Sequence, residues 1–266
     1  MTALEPREAG AFMQRLGPTL QQTFGQPRAI LAVSAHSLTR EPVLLAAARH
    51  EAVYDFGGFD PRLHTLRYDA PGAPELAWQV QGLLSEAGLP CHVLDQGGLD
   101  HGIWTPLRYL FPLADIPVLP LAWPPHWSPE QLFALGRALS ALTTEGVLVL
   151  GSGSLTHNLQ RVFAGGLREI DRPATPQSTA FREWFATQAA SGRMDALLDY
   201  RRQAPYAELM HPTDEHLLPW FVAAGAGSGA ADSSAQRIHA SLTYGDLAMD
   251  AYAFGPGATT LASAVA

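Results

Sequence analysis

The 266-residue chain is 47% apolar and 16% charged, with a net charge of −8 at neutral pH. It can bury one substantial core, and a single α/β domain is the simplest expectation for that length. It has no basic stripe for nucleic-acid phosphates and no attraction to an anionic membrane, so neither partner is expected. All seventeen lysine-plus-arginine positions are arginine. With no lysine, Schiff-base chemistry, a pyridoxal-phosphate site and a Walker-A lysine are excluded. Cys91 is the only cysteine, which rules out a disulfide framework and a thiolate metal cluster. Ten histidines remain, so metal or acid–base chemistry must run on His, Asp, Glu and Tyr.

No run approaches 18 apolar residues, and the N-terminus lacks the basic-then-apolar pattern of a secretory signal. A soluble, cytoplasmic protein is expected. In chain order, the pattern predicts a helix over 5–24, a strand at Ala29–Ser34 and a helix over 74–87 that opens with proline. Strands follow at His92–Leu94 and 116–121, then a helix over 128–142 with Ser128 as N-cap, and a strand over 147–150. Further helices are predicted over 178–190, 194–203 and 213–224. The Ala/Gly/Ser-rich stretch 223–234 reads as a surface loop. Residues 255–266 read as a flexible tail after one domain spanning 1–254. Strands alternating with helices imply a mostly parallel central sheet covered on both faces. Ligands of such sheets bind beyond the carboxyl ends of the strands.

Histidines stand at those ends. Ala-Ile-Leu-Ala-Val-Ser-Ala runs into His36. The strand ending at Leu94 is followed by Gly-Gly-Leu-Asp-His, with Asp100 and His101. Val-Leu-Val-Leu150 is followed by Gly-Ser-Gly-Ser-Leu-Thr-His-Asn, with His157 and Asn158. Singly, each also reads as an ordinary polar loop residue. A fourth segment, His211-Pro-Thr-Asp-Glu-His216, has Thr213 as a candidate N-cap. That would place His216 in a first helical turn, where the dipole lowers its pKa and suits it to a metal. The alternative is a partly buried helix residue with Glu215 as a dipole partner. Other motifs fail. The glycines after Leu150 lack the third glycine of a dinucleotide fingerprint, neither Ser152 nor Ser154 sits in a nucleophile elbow, and no His-Glu-x-x-His occurs. Asp55-Phe-Gly-Gly-Phe59 reads as a tight glycine turn bounded by buried aromatics.

Taken together, Val-Ser-Ala-His36, Val53-Tyr-Asp-Phe-Gly-Gly-Phe59, Tyr68-Asp-Ala-Pro-Gly-Ala-Pro-Glu-Leu76, Gly98-Leu-Asp-His-Gly102, Ala114-Asp-Ile-Pro117, Gly151-Ser-Gly-Ser-Leu-Thr-His-Asn-Leu159 and His211-Pro-Thr-Asp-Glu-His216 are collinear over nearly the whole chain. In this order they resemble the class III extradiol ring-cleaving dioxygenases, the superfamily of the protocatechuate 4,5-dioxygenase β-subunit. Within it they are most similar to the single-chain DOPA extradiol dioxygenase type.

The resemblance implies that a catechol is opened by O₂ at a non-haem metal, with Fe(II) functional and Zn(II) able to occupy the same histidines. It implies His36 and His216 as metal ligands, with His157 as acid/base and sometimes counted with the ligands. His101, with Asp100 beside it, is implied to bind a substrate oxygen. Two departures stand out. Ser37 replaces a tryptophan that usually follows Ser-Ala-His, which would loosen the pocket wall. The family's first strand, ending in His-Gly-Ser-Pro with the first metal ligand, has no counterpart, since Met1-Thr-Ala-Leu-Glu-Pro6 matches the family's segment after that motif. The expectation is a start set at an internal methionine. Within this sequence the metal would have two firm ligands, or three with His157. The alternative functions are a zinc-dependent hydrolase using a His-bound water, and a catalytically impaired catechol- or metal-binding relative. Tyr54, Trp104, Trp123 and Tyr244 are candidate pocket walls.

Overall fold

A computed structural model describes residues 4–164, 169–229 and 235–266. Helix α1 (Arg7–Phe24) leads into β1 (Ala29–Ser34) and β2 (Val43–Leu45). A small ribbon, β3 (Arg49–His50) with β4 (Ala70–Pro71), encloses a 3-10 turn at Pro61–Thr65. Next come α2 (Pro74–Glu86), β5 (His92–Leu94), α3 (His101–Leu110), β6 (Val118–Ala122), α4 (Pro129–Ala138), α5 (Ser140–Thr144) and β7 (Val147–Ser152). A helical run follows: α6 (Leu159–Ala164), α7 (Pro176–Ala190), α8 (Met194–Leu198), α9 (Tyr200–Gln203), α10 (Ala207–Met210) and α11 (Pro219–Gly227). The chain closes with β8 (Gln236–His239), β9 (Leu242–Thr243), β10 (Leu247–Ala248), β11 (Ala251–Ala253) and α12 (Ala258–Val265).

The central sheet has the order β5-β2-β6-β1-β7. β1 runs parallel to both neighbours, with Ile30 opposite Val118 on one side and Leu148 on the other. β2 is parallel to β5 and antiparallel to β6. The sheet is therefore mostly parallel, as expected. All six residues of β1 are buried. Their alternation divides the core in two. Leu31 and Val33 pack with the residues of α2, α4 and α11, whereas Ile30 and Ala32 pack with those of α1, α3 and α12. Both faces of the sheet are covered by helices, which is why β1 reads as an unbroken apolar run. No helix among the described residues is long and apolar enough to cross a membrane.

Several boundaries differ from expectation. The 128–142 helix is interrupted at Leu139 and the 194–203 helix at Asp199. Ser128 does cap α4, in a reciprocal capping box with Gln131. The helix expected from Thr213 begins only at Pro219, so residues 213–218 form a turn. Helix α3 escapes propensity because it carries Gly102 and Pro106. The short ribbons, two to four residues per strand, carry too little periodicity to register.

Part of the supposed loop 223–234 belongs to α11, with Ala224, Gly225 and Ala226 buried; residues 230–234 lie outside the described residues. The expected tail contains α12, which packs on α1 and β8 and buries Leu261. Apolar residues on one face, not composition, decide that outcome.

Two glycines set the cover of one sheet face. A Cβ on Gly136 of α4 would lie 2.1 Å from the Val222 carbonyl oxygen. One on Gly225 of α11 would lie 2.2 Å from that of Phe133. The helices thus cross at near backbone contact. Gly136→Ala or Gly225→Ala is expected to cost about 1–3 kcal/mol in urea unfolding. Gly82→Ala in α2, where nothing lies within 4 Å, should stabilise by about 0.5–1 kcal/mol. A Gly136→Ala protein as stable as the parent would contradict the close crossing.

Candidate metal centre and active site

The site is assembled where β1 and β7 end and α3 begins. Asp100, the N-cap of α3, accepts hydrogen bonds through Oδ1 from the Ser34 hydroxyl at 2.6 Å and the Gly102 amide at 2.8 Å. Its Oδ2 accepts from the Ser37 hydroxyl. The Ser34 oxygen in turn accepts from the His36 amide at 3.1 Å. One buried carboxylate therefore ties the His36 loop to the helix start that carries His101. Burial pushes the pKa of Asp100 up, and its serine and amide donors oppose the shift. Ser37, where the family usually has tryptophan, supplies a hydroxyl to this clamp. A tryptophan offers only an indole N–H.

Asp100 stands beside His101 in sequence, but its carboxylate serves the clamp. His101 instead donates from Nδ1 to Asp55 Oδ1 at 2.9 Å and from its backbone amide to the same oxygen at 3.0 Å. Burial opposes the charge on Asp55, but these bonds outweigh it and hold the carboxyl below its ordinary range. Asp55 was legible only as part of a glycine turn. The aromatics of that turn are less buried than expected, with Phe56 half-buried and Phe59 56% exposed.

Two close approaches place His216. A Cβ on Gly153 would lie 2.0 Å from the His216 carbonyl oxygen, and one on Gly151 would lie 2.3 Å from that of Pro219. The glycines after Leu150 thus admit the 213–219 turn against the end of β7, and the Ser154 amide donates to the His216 carbonyl at 2.8 Å. The turn is held from the other side by Asp214. Its carbonyl accepts from Leu217 and Leu218, while its carboxylate takes the Tyr200 hydroxyl and the Arg201 guanidinium. His216 Nδ1 pairs with Glu215 Oε1 at 3.1 Å. That bond, against the opposing effect of burial, lowers the Glu215 carboxyl to about 2. His157 is registered by its amide, which donates to the Met210 carbonyl at 2.9 Å. His211 is fully buried, with Nε2 paired to the Leu155 carbonyl at 2.8 Å. It serves the packing of this segment.

The structure brings all four expected histidines together. Ring centroids of His101 and His36 lie 3.9 Å apart, those of His36 and His216 lie 5.0 Å apart at 80°, and those of His216 and His157 stack at 3.4 Å. The His36 ring is open to solvent at one side, yet desolvation by the surrounding protein lowers its pKa to about 4, aided by repulsion from His101 and His216. Burial lowers His157 to about 3, with further repulsion from His216 and His211. Both are neutral at pH 7, so their lone pairs are available to a metal. The carboxylates of Asp55 and Glu215 accept Nδ1–H from His101 and His216, which fixes the orientation of each ring. Among the described residues, donor atoms within 4.8 Å of one another form two groups: His36 with Asp55 and His101, and His157 with Glu215 and His216. An imidazole-and-carboxylate donor set without thiolate fits Fe(II) or Zn(II).

Of the expected pocket walls, Trp104 and Trp123 are completely buried, with indole N–H groups bonded to Val53 and Ser34 carbonyls. Tyr54 donates to the Leu66 carbonyl. Tyr244 occupies a left-handed turn tied to Ile170 and Arg172.

A mostly parallel α/β sheet with four clustered imidazoles and two carboxylates near the ends of β1 and β7 offers a donor set that a non-haem metal fits. Residues 6–255 match the family described as the catalytic LigB subunit of aromatic ring-opening dioxygenase, and the chain belongs to that family. It is 38% identical over 230 residues to the 4,5-DOPA dioxygenase extradiol of Beta vulgaris, covering 86% of this chain and 83% of the relative. It is 34% identical over 233 residues to the enzyme of that name from Escherichia coli K12, covering 86% and 82%. An uncharacterized E. coli K12 protein of known crystal structure superposes with a TM-score of 0.72 at 30% identity, covering 90% of this chain and 91% of that one. The chain is an extradiol ring-cleaving dioxygenase, an enzyme that uses a non-haem metal, a small aromatic substrate and O₂. Family membership sets aside the zinc-hydrolase alternative.

Asp100→Ala should unfasten His36 from His101 and weaken divalent-metal binding by about 10–100-fold in chelator competition. Asp100→Asn, which keeps one acceptor, should lose less. Equal affinity in all three proteins would remove Asp100 from the site's architecture.

Proposed function

We propose that the chain opens the ring of a DOPA-like catechol at Fe(II) held by His36 and His216, with His157 closing the donor set or exchanging protons beside it. The observation that carries this reading is the unbroken row His101–His36–His216–His157, drawn from four separate segments. The DOPA-like substrate is supported by the names of the relatives from Beta vulgaris and Escherichia coli. Protocatechuate is the comparison substrate. Fe(II) supplies the redox link between ring and O₂, which Zn(II) does not.

The residues divide the remaining work. His101, held by Asp55, orients a substrate oxygen through a hydrogen bond. His157 exchanges the proton. Its pKa of about 3 is far below the near-neutral value that a free acid/base imidazole has, so it rests as a neutral acceptor. It accepts the proton of an arriving catechol hydroxyl, and the catecholate oxygen left beside it stabilises the imidazolium formed, which couples proton uptake to substrate binding. The same imidazolium then returns the proton as general acid. Glu215 keeps His216 in the tautomer that leaves Nε2 free. We place the enzyme in the cytoplasm, where its unpaired Cys91 and a ferrous ion are both kept reduced.

The test is O₂ uptake by the Fe(II)-reconstituted chain with L-DOPA and with protocatechuate. Uptake with L-DOPA, abolished when Zn(II) replaces Fe(II), is expected. Catechol binding without uptake would instead identify an impaired binding relative. His157→Ala should retain metal and lose about 10²–10⁴-fold in turnover. Loss of the metal would move His157 into the ligand set.

A further inference from the structure

The family assignment leaves open which side chain receives the aromatic ring of the substrate. Trp104 and Trp123 are ruled out by their complete burial. Among the described residues, Phe56 is the one Phe, Tyr or Trp ring in contact with any of the four imidazoles. Its edge-to-face contact with His101 has a centroid distance of 5.5 Å and an interplanar angle of 86°. It is half-buried, and on its other sides it meets Tyr54, Phe59, His64 and Trp104.

Its position is fixed relative to the site by three independent ties. Asp55, its chain neighbour, is bonded to His101. Val53 donates its amide to the Leu99 carbonyl at 2.7 Å, one residue before Asp100. The Val53 carbonyl receives the Trp104 indole at 3.0 Å. Beyond Phe56 the chain opens. Nothing lies within 4 Å of a Cβ built on Gly57 or Gly58, and Gly58 is left-handed at φ +76°. That turn carries Phe59 back against Phe56 at 6.2 Å, while leaving Phe59 56% exposed. A rigidly mounted phenyl ring beside the substrate-orienting histidine, with a second exposed phenyl at its outer edge, has the chemistry of an aromatic-stacking surface.

We propose that Phe56 is the wall on which the substrate's aromatic ring stacks, with Phe59 as its outer lip. Phe56 is thus a specificity-determining residue that favours planar aromatic diols. This rests on the dioxygenase reading of the same site.

The test uses the full chain loaded with Fe(II). The Kd of 4-nitrocatechol is read from its visible spectrum without O₂, and KM and kcat for L-DOPA are measured with O₂. Phe56→Ala should raise Kd and KM by about tenfold, with kcat falling by a smaller factor. Phe56→Leu, which keeps apolar volume without a π-face, should raise Kd by about fivefold. Phe56→Tyr should stay within about twofold. A Leu variant that binds 4-nitrocatechol as tightly as the parent overturns the proposal, as does equal weakening by Leu and Tyr. If the parent binds 4-nitrocatechol but consumes no O₂, the catalytic reading fails while the Kd series still decides the role of Phe56. If the parent binds no 4-nitrocatechol, both fall.

Discussion

The carboxylate of Asp100 is the joint on which the site turns. It sits at the N-terminus of α3, where a helix start supplies unpaired amides, and it takes one of them from Gly102. Two more of its lone pairs are taken by Ser34 and Ser37, which flank His36 closely at the end of β1. A buried carboxylate is costly unless such donors surround it. The same requirement that stabilises Asp100 therefore forces β1, its following loop and α3 into one arrangement. His36 and His101 come into ring contact as a consequence.

The other half of the site depends on space more than on charge. Gly151 and Gly153 leave room for the backbone of the 213–219 turn to press against the end of β7. His216 thereby reaches both His36 and His157. The crowding of imidazoles has an electrostatic consequence. Burial opposes protonation of His36 and His157 and the neighbouring imidazoles add to it, so these two rings are neutral well below physiological pH. Neutral rings are what a divalent metal requires. Asp55 and Glu215 complete the arrangement by bonding to Nδ1 of His101 and His216, which fixes ring orientation and tautomer.

Much of this is legible in the sequence. β1 announces itself as an apolar run because both faces of the sheet are covered, β7 as a half-buried one at the sheet edge, and His36 and His157 follow their carboxyl ends by two and five residues. The motif order carries the family. What the sequence does not display are contacts made across the chain. Asp55 reaches His101 over 46 positions, a separation that no local pattern reports. Ser37 reads as a lost wall until its hydroxyl is found on Asp100. Thr213 has the chemistry of an N-cap, yet the turn closed by Asp214 delays the helix to Pro219. The Gly151–Gly153 pair resembles a broken phosphate loop, and only the neighbouring His216 backbone explains it. At the C-terminus, small residues suggest a tail, but Leu261 anchors a packed helix.

In the proposed mechanism these ties converge on one metal position shared by His36 and His216. Anomalous diffraction at the iron edge, from crystals of the Fe(II)-loaded chain grown without O₂, locates that position. A single iron is expected within bonding distance of Nε2 of both His36 and His216, with His157 beside it. Iron bound by His36, Asp55 and His101 alone, or split between separate sites on the two donor groups, is incompatible with a shared centre.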